Sequence, residues 1–139
     1  MKQVGVLIVE DDPAMSKLLK ATLNNAGVAR IGEAFDGNTG IQKFLEDSYD
    51  IVMLDIGLPD MDGLKILATL KRLKKDAFIV LVTGDDSIES IQTAISSGAN
   101  GYVVKPYSQE KIMDVINNYM LTCDVDENIV RHLHTPGEF

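Results

Sequence analysis

Four apolar residues in succession, Ile51-Val52-Met53-Leu54, run into a single carboxylate, Asp55. Tyr49-Asp50 precede the run and Gly57-Leu58-Pro59 follow it. A short run without polar alternation is the pattern of a strand buried on both faces, since every side chain then needs an apolar neighbour whichever way it points. The Gly and Pro of Ile56-Gly57-Leu58-Pro59-Asp60-Met61-Asp62-Gly63 stop the strand. Strands of this kind belong to sheets covered by helices on both sides, so Asp55 falls at the carboxyl edge, where open α/β folds build their sites. A turn or N-cap role is the plainer reading of one such Asp, and the rest of the chain decides between them.

Val4 to Val9 is a second apolar run, ending in Glu10-Asp11-Asp12. Phe78 to Val82 is a third, stopping at Thr83-Gly84-Asp85-Asp86, and Gly101 to Val104 is the last, ending in Lys105-Pro106. Arg30 to Ala34 reads as a shorter strand. Helical periodicity fills the intervals. Pro13 suits a first helical turn, and Met15, Leu18, Leu19, Thr22, Leu23 and Ala26 keep a 3.6-residue period up to Gly27. Asp36-Gly37 reads as a turn before a short helix carrying Ile41, Phe44 and Leu45 and ending near Asp47. Gly63 leads into a third helix with Leu64, Leu67, Ala68 and Leu70 inward and a basic end at Lys71, Arg72, Lys74 and Lys75. Asp86 and Glu89 have capping-box spacing ahead of a fourth helix lined by Ile88, Ile91, Ala94 and Ile95 and closed by Gly98. Ser108 caps a fifth, with Ile112, Val115, Ile116, Tyr119 and Met120 on one face.

Five strands alternating with five helices predict an α/β domain with a parallel sheet and helices on both faces, flavodoxin-like and doubly wound. The two acidic strand ends must be neighbours to cooperate, which favours the strand order 2-1-3-4-5. The domain is expected over residues 1–121, with 122–139 as a C-terminal tail or linker in which Ile129 and Leu133 allow a further helical turn. His132 and His134 read as part of that polar tail.

The totals exclude several classes. A chain of 139 residues with net charge −8 lacks the basic patch that nucleic-acid binding requires. One cysteine, Cys123, allows neither an intrachain disulfide nor a cysteine metal cluster. No apolar run approaches the ~18 residues of a membrane span, and the N-terminus carries no signal-peptide pattern, so a cytoplasmic setting is expected.

In a parallel sheet the strand ends converge on one edge. Strand one brings Glu10, Asp11 and Asp12, strand three Asp55, strand four Thr83 and strand five Lys105. Two carboxylates ~4 Å apart repel by about 4 kcal/mol at an effective dielectric of ~20, so such a cluster raises a pKa or collects a cation. Acids without His or Cys suit Mg²⁺, or Mn²⁺, and not zinc. A hard cation with open positions beside a lysine and a hydroxyl suits a phosphoryl group, with Asp55 placed to serve as nucleophile.

The runs Val9-Glu10-Asp11-Asp12-Pro13, Leu54-Asp55 with Leu58-Pro59-Asp60-Met61-Asp62-Gly63, Val82-Thr83-Gly84 and Tyr102-Val103-Val104-Lys105-Pro106 together resemble the receiver domain of two-component response regulators, in the right order and spacing over roughly Gln3 to Tyr119. In length the chain is similar to the single-domain chemotaxis type. The resemblance implies that Asp55 is the phosphoacceptor, and that Glu10 and Asp11 are the metal-binding acid pair with Asp11 a direct ligand. It implies Asp55 and the Gly57 carbonyl as further metal ligands, Lys105 as the phosphate-binding lysine, Thr83 and Tyr102 as a switch pair, and a cis bond before Pro106. Its partners would be a sensor histidine kinase or histidine phosphotransfer protein, and a downstream protein reading the face of helix 4, strand 5 and helix 5, whose outward positions Ser90, Thr93, Lys111, Asp114 and Asn118 are polar.

Two other classes compete. A Mg²⁺-dependent phosphotransferase of the haloacid dehalogenase type also uses an Asp after a strand but wants a second acid two residues later, where this chain has Gly57. A flavodoxin-like FMN carrier wants a hydroxyl-rich loop after the first strand, where this chain has acids. No output domain follows in the sequence, which is expected of a stand-alone regulator or of a receiver taken from something longer.

Overall fold

A computed structural model describes residues 4–124. The elements alternate without exception: β1 (Gly5–Val9), α1 (Pro13–Asn25), β2 (Arg30–Ala34), α2 (Gly37–Glu46), β3 (Ile51–Leu54), α3 (Gly63–Leu73), β4 (Phe78–Thr83), α4 (Ile88–Ser96), β5 (Gly101–Val104) and α5 (Gln109–Asp124). All five strands are parallel in one sheet of order β2-β1-β3-β4-β5, the order that the acidic strand ends favour.

The apolar runs are buried on both faces because each feeds two cores by turns. Val6 and Ile8 of β1, Ile51 and Met53 of β3, and Phe78, Val80 and Val82 of β4 pack with Leu19 and Leu23 of α1 and with Ile112, Val115 and Ile116 of α5. The intervening Leu7, Val9, Val52, Leu54, Ile79 and Leu81 pack on the other face with Phe44 of α2, Ile66, Leu67 and Leu70 of α3, and Ala94 of α4. The period of two thus divides one strand between two helix layers. Phe78 and Tyr119 meet edge to face at 5.4 Å between centroids and tie α5 to β4.

Several local readings change. Asp36-Gly37 opens α2 instead of standing outside it: Asp36 is the N-cap, accepting from Thr39 N–H at 2.7 Å. The cap of α4 is Ser87, whose hydroxyl accepts from Ser90 N–H at 3.2 Å, so the Asp86–Glu89 capping box does not form. On α4, Ile88 and Ile95 are 73% and 59% exposed and only Ala94 is buried. Ala94 turns toward the sheet, which leaves Ile88 and Ile95 ~100–120° away around the helix at 100° per residue. On α1, Leu18 likewise faces outward. α5 continues to Asp124, past Leu121 where the apolar periodicity fades. Ile129, Leu133, His132 and His134 lie outside the described residues. Among the described residues no helix is long and apolar enough to cross a membrane.

Gly27 and Gly98 follow the caps of α1 and α4 with φ of +93° and +103°, the left-handed conformation expected of glycine just past a helix end.

Candidate functional site

The site forms because three ladders extend one rung beyond their strands. Glu10 N–H donates to the Ala34 carbonyl at 3.0 Å, Asp55 N–H to the Val9 carbonyl at 3.0 Å, and Lys105 N–H to the Thr83 carbonyl at 2.7 Å. Val9 and Leu54 are register partners, so Glu10 and Asp55 leave adjacent strands side by side. Glu10, Asp11 and Asp55 each offer a carboxylate oxygen to a common point, those oxygens lying within 4.8 Å of one another.

Lys105 reaches this cluster from the far end of the sequence. Its Nζ donates to Glu10 Oε1 at 2.6 Å and to Asp55 Oδ2 at 3.4 Å. Gly57 N–H holds the other Asp55 oxygen, Oδ1, at 3.1 Å. The peptide bond between Lys105 and Pro106 is cis. Asp12 stands aside as the N-cap of α1, accepting from Ala14 N–H at 2.9 Å.

The electrostatics follow from burial. Glu10 is only 5% exposed, and that desolvation raises its carboxyl from 4.5 to about 7; the Lys105 ammonium works against the rise and the adjacent Asp55 adds to it. Burial alone would depress Lys105, but its hydrogen bond to Glu10 and the charges of Asp55 and Glu10 prevail and raise it above its ordinary value. Among the described residues one lysine faces three carboxylates, an excess of negative charge at the point where their oxygens converge.

This donor set fits a hard divalent cation: it is all oxygen, it has no imidazole or thiolate, and Asp11 lies open to solvent. Mg²⁺ commonly takes one or two carboxylates and fills the rest with water and phosphate oxygens. Beside such an ion, a lysine and a free carboxylate can meet a tetrahedral anion and a phosphorus atom, respectively.

Thr83 is buried at the end of β4, between β3 and β5. Its hydroxyl oxygen accepts from Asp85 N–H at 3.3 Å. Tyr102, half-buried on β5, donates its phenolic hydroxyl to the Asp85 carbonyl at 2.5 Å, and burial raises its pKa. Both residues therefore meet at Asp85. Its carboxylate takes Ser87 N–H at 2.9 Å and the Ser90 hydroxyl at 2.5 Å, which hold it below the usual carboxylate range. This side-chain tie between Asp85 and α4 was not apparent in the sequence, although an Asp two residues before Ser87 has the spacing of an Asx-type turn. A second unforeseen tie joins Asp60 to the start of α2, and no sequence spacing signals it.

Residues 6–117 match the response regulator receiver domain family. The chemotaxis protein CheY of Bacillus subtilis is 31% identical over 112 residues, covering 81% of this chain and 93% of that protein. The transcriptional regulatory protein TrcR of Mycobacterium tuberculosis is 36% identical over 110 residues, or 79% of this chain but 42% of the relative. The crystal structure of a two-component response regulator from Clostridium difficile superposes with a TM-score of 0.82 at 26% identity, covering 88% of this chain and all of the other. The chain thus spans nearly all of the chemotaxis relative and less than half of the transcriptional one. The family match covers residues 6–117 of the 139, and the chain belongs to the response regulator receiver domain family.

Proposed function

We propose that this chain is a phosphorylation-controlled switch that accepts a phosphoryl group from a phosphohistidine donor onto Asp55 and changes its protein-binding face in response. The observation that carries the proposal is the placement of Asp55 within 4.8 Å of the Glu10 and Asp11 carboxylates, with Lys105 Nζ at 3.4 Å.

The chemistry follows from these residues. An Asp55 carboxylate oxygen attacks phosphorus while the P–N bond to the donor imidazole breaks; the P–N electron pair stays with the departing histidine nitrogen, which takes a proton from solvent. The product is an acyl phosphate on Asp55. Gly57 N–H and Lys105 each hold one Asp55 oxygen, which fixes the carboxylate rotamer before attack. Glu10, Asp11 and Asp55, with the Gly57 carbonyl, would hold Mg²⁺, and the ion would supply charge neutralisation for the phosphoryl oxygens. Lys105 meets those oxygens as a point charge. Water attacking the same phosphorus returns the carboxylate, so the chain turns over only its own modification.

Thr83 and Tyr102 convert the local charge into a change of shape. Thr83 donates its hydroxyl proton to a phosphoryl oxygen and, drawn inward, releases the Asp85 N–H it accepts from; Asp85 shifts, and Tyr102 follows the carbonyl it is bonded to. The resulting two-state element is biased only by the contacts that differ between its states. Its readout is the face of α4, β5 and α5. Thr93, Lys111 and Asp114 are exposed there, and Ile88 and Ile95 add apolar area at its edge, the mixture a reversible interface uses. The partners are a sensor histidine kinase or histidine phosphotransfer protein on the input side and a downstream protein on the output side.

Incubation with a phosphorylated histidine phosphotransfer protein and Mg²⁺ tests the proposal. Transfer to the wild-type chain and none to Asp55→Asn is expected; equal transfer to both would refute it.

A further inference from the structure

The segment joining Asp55 to α3 is closed at its neck. Gly63 N–H donates to the Ile56 carbonyl at 3.0 Å, and Gly57 and Asp62 pair as an antiparallel bridge. A Cβ on Gly63 would stand 2.5 Å from Ile56 Cα and 2.9 Å from the Asp55 carbonyl oxygen, so backbone touches backbone there. The Gly57 carbonyl leaves from this neck.

The tip of the loop is anchored to a different element. Asp60 Oδ1 accepts from Gly37 N–H at 2.7 Å and Oδ2 from Asn38 N–H at 2.9 Å. These are the first two N–H groups of α2, which find no partner within the helix. Helix α2 already has a local cap, since Asp36 takes Thr39 N–H at 2.7 Å. Two carboxylates therefore serve one helix start, and the second comes from 22 and 23 residues away. The contact is reinforced by packing: a Cβ on Gly37 would lie 2.5 Å from Met61 Cγ and 2.8 Å from Ile66 Cδ1. The two α2 amides also hold the Asp60 carboxyl below its usual range.

We infer that Asp60 is a positioning residue for the divalent cation: by clamping the loop tip to the N-terminus of α2, it fixes the Gly57 carbonyl that the ion takes as a ligand. The inference rests on the reading of that carbonyl as a ligand given above. A carbonyl ligand is only as well placed as its loop, and Mg²⁺ tolerates little departure from octahedral geometry. Partners that orient a ligand without touching the metal change affinity by about 10–100-fold when removed. A residue that merely capped α2 would stabilise the helix and leave the ion indifferent.

The test is a Mg²⁺ titration of the full chain followed by NMR, reading the amide resonances for affinity and the Gly57 carbonyl carbon for direct ligation. Asp60→Ala should weaken Mg²⁺ by about tenfold and should shift the Gly57 resonances of the metal-free protein. Asp60→Asn keeps one acceptor oxygen for one of the two N–H groups and should fall between. Asp36→Ala removes the other cap of α2 without touching the loop; it should lower the melting temperature and leave Mg²⁺ affinity at the wild-type value. Wild-type affinity in Asp60→Ala, or an equal loss in Asp36→Ala, would overturn the inference while leaving the carbonyl ligand in place. A Gly57 carbonyl carbon that does not respond to Mg²⁺ in the wild-type chain would instead remove the ligand reading, and the inference with it.

Discussion

Tyr102 donates its phenolic hydroxyl to the backbone carbonyl of Asp85 at 2.5 Å, and the N–H of that same residue donates to the Thr83 hydroxyl at 3.3 Å. One residue thus stands between the hydroxyl at the end of β4 and the aromatic ring on β5. Its carboxylate extends the connection to Ser87 and Ser90 at the start of α4.

The coupling predicts that labelling and response separate. Thr83→Ala should retain phosphoryl transfer to Asp55 but lose most of the shape change, because the hydroxyl that links the phosphoryl group to Asp85 is gone. Amide NMR with and without beryllofluoride, a phosphoryl mimic, reads this directly. Wild-type shift changes at Tyr102 and across 108–118 in Thr83→Ala would show that the signal travels another way.

The acid pair can be ordered by titration. Asp11→Ala should weaken Mg²⁺ strongly, since an oxygen of the converging set is lost. Asp12→Ala should weaken it far less, because Asp12 is occupied as the α1 cap; its larger effect is on stability, about 1 kcal/mol for a lost N-cap. The reverse order of Mg²⁺ affinities would place the ion between Asp11 and Asp12.

Glu10 makes Mg²⁺ affinity depend on pH. Without the ion its carboxyl keeps a proton up to about 7, and Mg²⁺ must displace that proton. Apparent affinity should therefore rise by about tenfold per pH unit below that value and level off above it. Stability of the metal-free protein runs the other way. The folded value lies above the unfolded 4.5, so the native state holds the extra proton and stability declines between 4.5 and about 7. Glu10→Gln should flatten both profiles. Calorimetric titration and thermal melts at stepped pH check them, and an affinity that is flat from pH 5.5 to 8 would contradict the account.

Gly63 predicts a stability cost with a steric cause. Gly63→Ala places a Cβ against the Ile56 and Asp55 backbone at 2.5 and 2.9 Å, where no flexible side chain can give way. A loss of about 1–3 kcal/mol is expected from overpacking of this kind, measured by urea denaturation. Ile88→Ser, at a residue 73% exposed, should change stability by less than about 0.5 kcal/mol. A neutral Gly63→Ala would mean that the loop neck yields.

What could be read in the sequence was what its periodicity encodes. The interior strands β1, β3 and β4 were legible because burial on both faces leaves no polar position, and the acidic ends of β1 and β3 favoured them as neighbours. Edge positions were harder. The apolar stripe Ile88-Ile91-Ile95 looks like a core face, yet α4 lies over the edge of the sheet with small Ala94 inward. The convergence of Lys105 with Glu10, Asp11 and Asp55 was legible because a parallel sheet gathers strand ends whatever their separation in sequence. The grip of Asp60 on α2 was not, because its partners are backbone N–H groups, which leave no trace in residue identity.

The central claim is that Asp55 becomes an acyl phosphate in a Mg²⁺-dependent step. Intact-mass measurement after incubation with a small acyl phosphate tests it most directly, run with Mg²⁺, with chelator, and on Asp55→Asn. The account predicts one added phosphoryl group in the wild-type chain with Mg²⁺ and none in the other two. Undiminished labelling of Asp55→Asn, or labelling indifferent to chelator, would contradict it.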